Sequence, residues 1–183
     1  MLPILLAVMF VVILLAVVIA GRPDEFAVSR SITIAAPVEQ VFPLVNELRR
    51  WEAWNPWGKL DPNCQMNYEG PPAGTGASYT WSGNGKVGAG RNTIVESKPG
   101  ELVRLRLDFL KPMEQISQAE FRFAEDGGRT IVTWTMAGRT NAFMKLFGLF
   151  MNCDKMLASQ FEKGLAQMKA TAEAKRAEAA ITA

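Results

Sequence analysis

The 183-residue chain contains no histidine. Imidazole general bases, Ser-His-Asp and Cys-His arrangements, histidine-ligated zinc and histidine-bound haem are all excluded. Cys64 and Cys153 are too few and too far apart for a CxxC redox motif or a multi-thiolate metal site. They read as two free thiols of a reducing compartment. No metal, nucleotide or other cofactor is expected. The remaining candidates are carboxylates, phenols and amides. Asp154 is the sharpest: Phe147 and Phe150 lie seven and four residues before it, Leu157 and Phe161 three and seven after it. On a helix that spacing puts its carboxylate on or beside the apolar stripe. A carboxylate there is costly unless partnered, and its pKa tends to rise. It would orient a polar ligand head or act as an acid or base. The competing reading is an ion pair with Arg91, Lys86 or Lys155, or a stripe-edge position in water. Tyr79 and Asn92 are the other polar candidates, Asn92 sharing strand parity with Ile94. No residue is assigned as catalytic.

Aromatic placement points to binding. Trp51, Trp54 and Trp57 recur at every third position; Trp51 reads as core, Trp54 and Trp57 as the mouth of a pocket. Tyr79, Trp81, Phe109, Phe121, Trp134 and Met136 fall on strand faces that would enclose an apolar site, for which aromatic and methionine side chains are suited. Phe147, Phe150 and Asp154 complete the candidate set from the final helix. The glycine-rich stretch around Asn84-Gly85-Lys86 lacks the order of a phosphate loop and no helix follows it, so it reads as a hairpin tip flexible enough to gate a pocket.

These residues need elements to hold them. Residues 28–36 alternate and are β-branched, which predicts a strand. Pro37 and Glu39 then open a helix that Pro43 should kink or split and that ends before Pro56. Strand-like segments follow at 65–69, 77–83, 88–97, 101–109, 115–123 and 130–136. Val103, Leu105, Leu107 and Phe109 face one way and Arg104, Arg106 and Asp108 the other, the mark of a sheet with one wet face. A single long helix, capped by Thr140 or Asn141, closes the chain. Beyond Thr171 it turns alanine-rich and charged and should fray. The domain is expected over 28–170, with a linker at 21–27 and a tail at 171–183.

Hydrophobic residues make up 49% of the chain, unevenly placed: Pro3 is the only one of the first twenty outside that set, and none of the twenty is charged. At 1.5 Å per residue the segment spans about 30 Å, the thickness of a hydrocarbon core. Residues 1–20 therefore read as a transmembrane anchor and the bilayer as a partner. A cleaved signal fits less well, since nothing basic precedes the run and Val18-Ile19-Ala20 is a poor cleavage site. Arg22, Arg30, Arg49 and Arg50 follow it, which by the positive-inside rule places the domain in the cytoplasm. The net charge of +2 and the lack of a dense basic run argue against nucleic acid.

The element order and several stretches together resemble the START-like helix-grip superfamily, also called SRPBCC, in its bacterial polyketide cyclase/dehydrase-like branch. The stretches are ITIAAPVEQVFPLVNELRRWEAWNPW, LDP, YEGPPAGTGASYTWSGNGKVGAGRNTIVES, LDFLKPM, TIVTWTMAG and FMKLFGLFMNCDKMLASQFEKGLAQMK. The resemblance runs from about Ser29 to Lys169. It implies an α+β fold, a curved antiparallel sheet of about seven strands wrapped on a long C-terminal helix, with a hydrophobic-ligand pocket between them. The expected function is a membrane-anchored binder of a lipid-, isoprenoid- or polyketide-like small molecule. The alternatives are a cyclase/dehydrase-like enzyme using a polar dyad in the same cavity, and a chaperone-activator-like interaction module with a filled interior.

Overall fold

The computed structural model describes residues 1–149 and 153–182. The apolar segment is one helix, α1 (Leu2–Ala20). It is followed by β1 (Glu25–Ile34), α2 (Val38–Asn46), β2 (Gln65–Glu69), β3 (Ser78–Ser82), β4 (Ala89–Lys98), β5 (Leu102–Lys111), β6 (Gln115–Asp126), β7 (Arg129–Arg139), α3 (Ala142–Phe147) and α4 (Cys153–Thr182). Short 3-10 turns at Leu48–Ala53 and Trp57–Lys59 carry the chain from α2 to β2.

The strands form one curved antiparallel sheet in the order β1-β7-β6-β5-β4-β3-β2. Strands β2 to β7 are consecutive hairpin neighbours. The first strand occupies the far edge beside β7, so α2 and the 3-10 turns must carry the chain across the sheet to β2. Alternation works as expected: Val103, Leu105, Phe121, Phe123, Val132 and Trp134 are buried. The opposite face is wet and charged. There Arg104 lies across from Glu120 and Glu96 and pairs with both, while Arg122 reaches Glu120 at 2.6 Å. Such exposed pairs add little stability each, but they keep that face in water.

The structure departs from the sequence reading at four elements. Residues 25–27 are not linker: β1 starts at Glu25 and pairs with Arg139, leaving four residues between α1 and the sheet. The α2 helix runs through Pro43 and stops three residues later, because its apolar side (Val38, Val41, Phe42, Val45) is packed in the core and holds the last turn in place. The final helix is not continuous from residue 141. Asn141 does cap α3, its Oδ1 accepting from Met144 N at 2.8 Å, but α3 ends at Phe147 and a turn follows at Gly148.

The tail is not frayed at its start either. Helix α4 continues to Thr182, Ala172 is buried, and Glu173 Oε1 accepts from the Ala35 backbone N–H at 2.7 Å. Lys169 donates to Thr33 O at 2.9 Å and to Glu173 at 2.7 Å. The helix thus satisfies backbone groups where β1 ends. The Lys169 hydrogen bond, helped by the Ala35 N–H, holds the Glu173 carboxyl below the usual carboxylate range.

Trp134 sits at the junction of sheet and helix. Its ring stacks on Phe161 of α4 at 4.1 Å and on Phe121 of β6 at 4.8 Å. Gly164 lets α4 come this close: a Cβ there would stand 3.0 Å from Trp134 Cζ3 and 3.1 Å from Pro56 Cδ.

Two stability predictions follow from this packing. Gly164→Leu should lower the unfolding free energy by about 1–3 kcal/mol through overpacking. Ala166→Leu, on the exposed side of α4, should stay within about 0.5 kcal/mol of wild type; chemical denaturation compares the two. A carboxyl whose folded pKa is depressed stabilises above its unfolded value and stops doing so as pH falls through the folded one. Glu173→Gln should therefore be less stable than wild type at neutral pH, and the difference should shrink as thermal melts are repeated at pH values below the ordinary glutamate range.

Candidate functional site

The sheet and α4 do not meet everywhere. Beside the Trp134 stack lies a cavity of about 290 Å³, at the small end of ligand-sized sites, which run about 300–1,000 Å³. Strands β3 to β7 form its floor, the Trp57–Gly58 turn one wall and Leu157 of α4 another. Its deep end is buried: Trp51, Tyr79, Asn92, Ala119, Trp134 and Met136. Its rim is partly open to solvent at Gly58, Val87, Phe109 and Leu157.

An aromatic series surrounds it. Trp57 packs edge-on to Trp134 at 5.7 Å, Trp51 to Tyr79 at 6.2 Å, and Trp81 to Phe109 at 5.7 Å. Edge-to-face contacts of this kind keep rings at defined angles and leave ring faces available. Gly90 makes room for Trp81, since a Cβ there would stand 2.4 Å from the indole. Trp81 Nε1 is tied to Val87 O at 3.1 Å.

Polar groups are few and specific. Asn92 Nδ2 donates to Tyr79 Oη at 2.5 Å. Asn92 Oδ1 and Trp134 Nε1 are buried without a hydrogen-bond partner among the described residues; Gln40 Oε1, on α2, is the only other such side-chain atom. The contrast within the tryptophans is informative. Trp51 donates to Val45 O at 2.9 Å and Trp54 to Leu44 O at 2.8 Å. Only the cavity-lining Trp134 leaves a fully buried indole N–H unmade. A buried unpaired donor or acceptor costs about 1–3 kcal/mol, and both atoms belong to residues that line the cavity, each atom itself covered by protein.

The pair Tyr79–Asn92 has a further property. As placed, it offers an amide oxygen and a phenol hydrogen. With the amide turned over, Asn92 would accept from Tyr79 and present its NH2 instead. Burial pushes the Tyr79 phenol well above its ordinary pKa, and burial followed by the nearby Asp61 charge pushes the Cys64 thiol up. Both stay neutral. Tyr79 is thus a donor or acceptor and not a base.

The rim is braced from below the hairpin. Asp61, itself buried, accepts from Asn84 N at 2.7 Å and from Asn63 N at 3.0 Å. Its carboxylate ties the 61–64 loop to the β3–β4 hairpin. The glycine-rich tip expected to move freely is therefore anchored at its first residue, and Val87 from that hairpin lines the rim.

Of the candidate residues, Trp57, Tyr79, Trp81, Asn92, Phe109, Trp134 and Met136 line this one cavity. Trp54 and Phe121 do not: both are fully buried and pack on each other at 5.8 Å within the core. Trp51, assigned to the core, is part of it and also lines the deep end of the cavity. The 3-10 turn ends at Ala53, and Trp54, its C-cap at φ −132°, leaves the three-residue repeat that would otherwise put it on the same face as Trp51. Leu157 and Phe161 keep their expected spacing from Asp154 on α4, but Asp154 stands in the first turn of that helix, where it is exposed and outside the cavity lining. The side chain of Phe147 and all of Phe150 lie outside the described residues.

Sequence reasoning overlooked Ala119, Leu107 and Leu157 as lining residues, and Asp61 as the brace. Leu107 shares parity with Phe109, and Ala119 with Phe121, so strand alternation carried that signal. Nothing local marked Asp61, whose partner is 23 residues away.

The family described as polyketide cyclase / dehydrase and lipid transport matches residues 25–173. No curated protein matches the chain. Among solved structures, the di-domain ARO/CYC protein StfQ of the steffimycin biosynthetic pathway superposes with a TM-score of 0.60 at 12% identity, over 84% of this chain and 52% of that one. A protein from Chromobacterium violaceum superposes with a TM-score of 0.57 at 15% identity, over 83% and 99%. DynU16, from the dynemicin biosynthetic locus, gives 0.55 at 17% identity, over 83% and 48%. The chain thus spans about half of DynU16 and of StfQ. At these identities the likeness is one of fold. The sheet, the terminal helix and the match across both together place the chain in the polyketide cyclase / dehydrase and lipid transport family.

Proposed function

We propose that the domain binds a neutral, amphipathic small molecule of the lipid-, isoprenoid- or polyketide-like kind in the cavity beside Trp134, and that α1 holds it at a membrane. The observation that carries this reading is the pair of buried unpartnered atoms, Asn92 Oδ1 and Trp134 Nε1, on residues lining an otherwise apolar cavity. A ligand hydroxyl could donate to Asn92 Oδ1, and a hydroxyl or carbonyl elsewhere on the ligand could accept from Trp134 Nε1, while its apolar body is driven in by burial at about 25 cal/mol per Å². Among the described residues, no Lys, Arg, Asp or Glu lines the space. A carboxylate or phosphate head would therefore enter without a counter-charge, at high desolvation cost.

The cavity argues against a filled interaction module. It also bears on the enzyme reading, which the Tyr79–Asn92 pair supports in part. That pair and Trp134 could polarise a ligand carbonyl, but cyclisation or dehydration also needs a base. The neutral phenol does not supply one, and Asp154 is outside. Binding is the better-supported reading. The anchor reading rests on the length and apolarity of α1, which by composition alone is long enough to span a bilayer.

The test uses the full-length protein in detergent or nanodiscs with 2-naphthol, a neutral bicycle bearing one hydroxyl, followed by quenching of the cavity tryptophans. Naphthalene should bind more weakly, and naphthalene-2-sulfonate should not compete. Asn92→Leu should weaken 2-naphthol about tenfold, the equivalent of one lost hydrogen bond, while leaving naphthalene little changed. Ala119→Phe, which fills the cavity, should abolish binding of both with the fold retained by circular dichroism. Undiminished binding in that variant would remove the site from this cavity. Because Tyr79 and Cys64 both stay neutral, 2-naphthol affinity should vary less than about twofold between roughly pH 5 and 8; a titration with a midpoint in that range would refute the neutral lining.

A further inference from the structure

The cavity rim and the foot of α1 lie at the same end of the domain. Four residues separate Ala20 from β1. Fully extended they reach no more than about 14 Å, and they are not free to extend. Arg22 donates to Gly148 O at 3.2 Å, and Asp24 pairs with Lys145 at 2.5 Å and accepts from Thr140 N at 2.7 Å. Lys145 is buried by this arrangement. Helix α1 also touches α3 directly. If α1 spans a bilayer, α3 and the start of α4 are held at its surface.

The β5–β6 hairpin belongs to that end as well. Gln115 Nε2 reaches Arg139 O at 3.3 Å, and Arg139 pairs with Glu25, the residue after Asp24. Phe109, at the rim of the cavity, pairs with Gln115 at the base of this hairpin. Leu157, the rim residue on α4, lies one turn into that helix. Of the five large apolar side chains exposed outside α1 among the described residues, three lie here, Leu110 at 56%, Ile116 at 58% (opposite Asp108 at the end of the charged sheet face) and Met156 at 53% on α4; Leu60 and Val95 are the other two. Arg22, Lys86, Lys111, Arg139 and Lys155 are exposed around them, against Asp24, Glu25, Glu114 and Asp154, a small excess that suits anionic headgroups.

We propose that this end of the domain docks on the bilayer surface, with Leu110, Ile116 and Met156 in the interfacial region, so that the cavity rim faces lipid and the ligand passes between membrane and cavity without crossing bulk water. The occupant of the patch is the membrane in which α1 resides. The inference rests on the anchor reading and adds to it an orientation that an anchor alone does not require.

The experiment is site-directed spin labelling of the full-length protein in phosphatidylcholine/phosphatidylglycerol vesicles. Nitroxides are placed singly through Leu110→Cys, Ile116→Cys, Met156→Cys, Glu125→Cys and Leu6→Cys in a Cys64→Ser, Cys153→Ser background. Collision rates with oxygen, which concentrates in lipid, are compared with those of a water-soluble nickel chelate. The expected result is an oxygen-to-nickel ratio at residues 110, 116 and 156 several-fold above that at residue 125, which lies on β6 near the far hairpin. Water-like ratios at all three, with a lipid-like ratio at residue 6, would overturn the docking and leave the anchor standing. A water-like ratio at residue 6 would overturn both. Because Cys64 lines the cavity, the unsubstituted protein provides a second measurement. Hydrogen exchange over residues 110–116 should be slower in vesicles than in detergent micelles, with residues 125–129 unchanged. Equal exchange over 110–116 would count against docking.

Discussion

The contact on which the rest depends is the stack of Phe121, Trp134 and Phe161, with ring centroids 4.8 and 4.1 Å apart. A sheet buries its apolar face only if another layer covers it, and here one helix does most of that. The stack sets how close α4 approaches, and Gly164 removes the side chain that would prevent it. Where the stack ends, the helix and the curved sheet diverge, and the space between them is the cavity. Cavity and core are therefore two ends of one interface, divided by Trp134, whose ring packs with the core and whose indole nitrogen has no partner among the described residues.

The polar groups follow from the same geometry. In the densely packed part every buried indole finds a backbone carbonyl, because α2 and the turn after it present Leu44 O and Val45 O at the right distance. Beside the cavity no backbone is near enough, so Trp134 Nε1 and Asn92 Oδ1 go without. Such groups are tolerated where they serve a partner. The neutral state of Tyr79, imposed by burial, keeps the whole lining uncharged. Shape, unmet hydrogen bonds and absence of charge all favour the same chemical class of guest.

Much of the fold was legible because strand periodicity is short-range physics. Val103 to Phe109 alternate in the sequence and face one way in the sheet, and β4 keeps Asn92 and Ile94 buried together even though its register shifts between Ile94 and Glu96. The tryptophan run was harder. Trp51 and Trp54 pack on each other at 4.9 Å, and only Trp51 reaches the cavity, because Trp54 falls just beyond the end of the 3-10 turn. Asp154 keeps its spacing to Leu157 and Phe161 on α4, and it is exposed because it stands in the helix's first turn, a position that periodicity does not report. The bracing role of Asp61 was invisible because the donor that ties it to the hairpin, Asn84 N, lies 23 residues away.

The sequence by itself determined the chemistry that is absent, the apolar segment of bilayer length, the order of elements and the inward residues of the strands. These depend on composition and on neighbours within a few positions, which any folded form of the chain must respect. Tertiary structure decided which aromatics pack and which line, which polar atoms are left unpaired, and that the foot of α1, the β5–β6 hairpin and the cavity rim share one end. Those are outcomes of how β1 pairs with β7 and how closely α4 settles on Trp134. Both join residues about a hundred positions apart or pack one element on another, and local sequence carries no record of either.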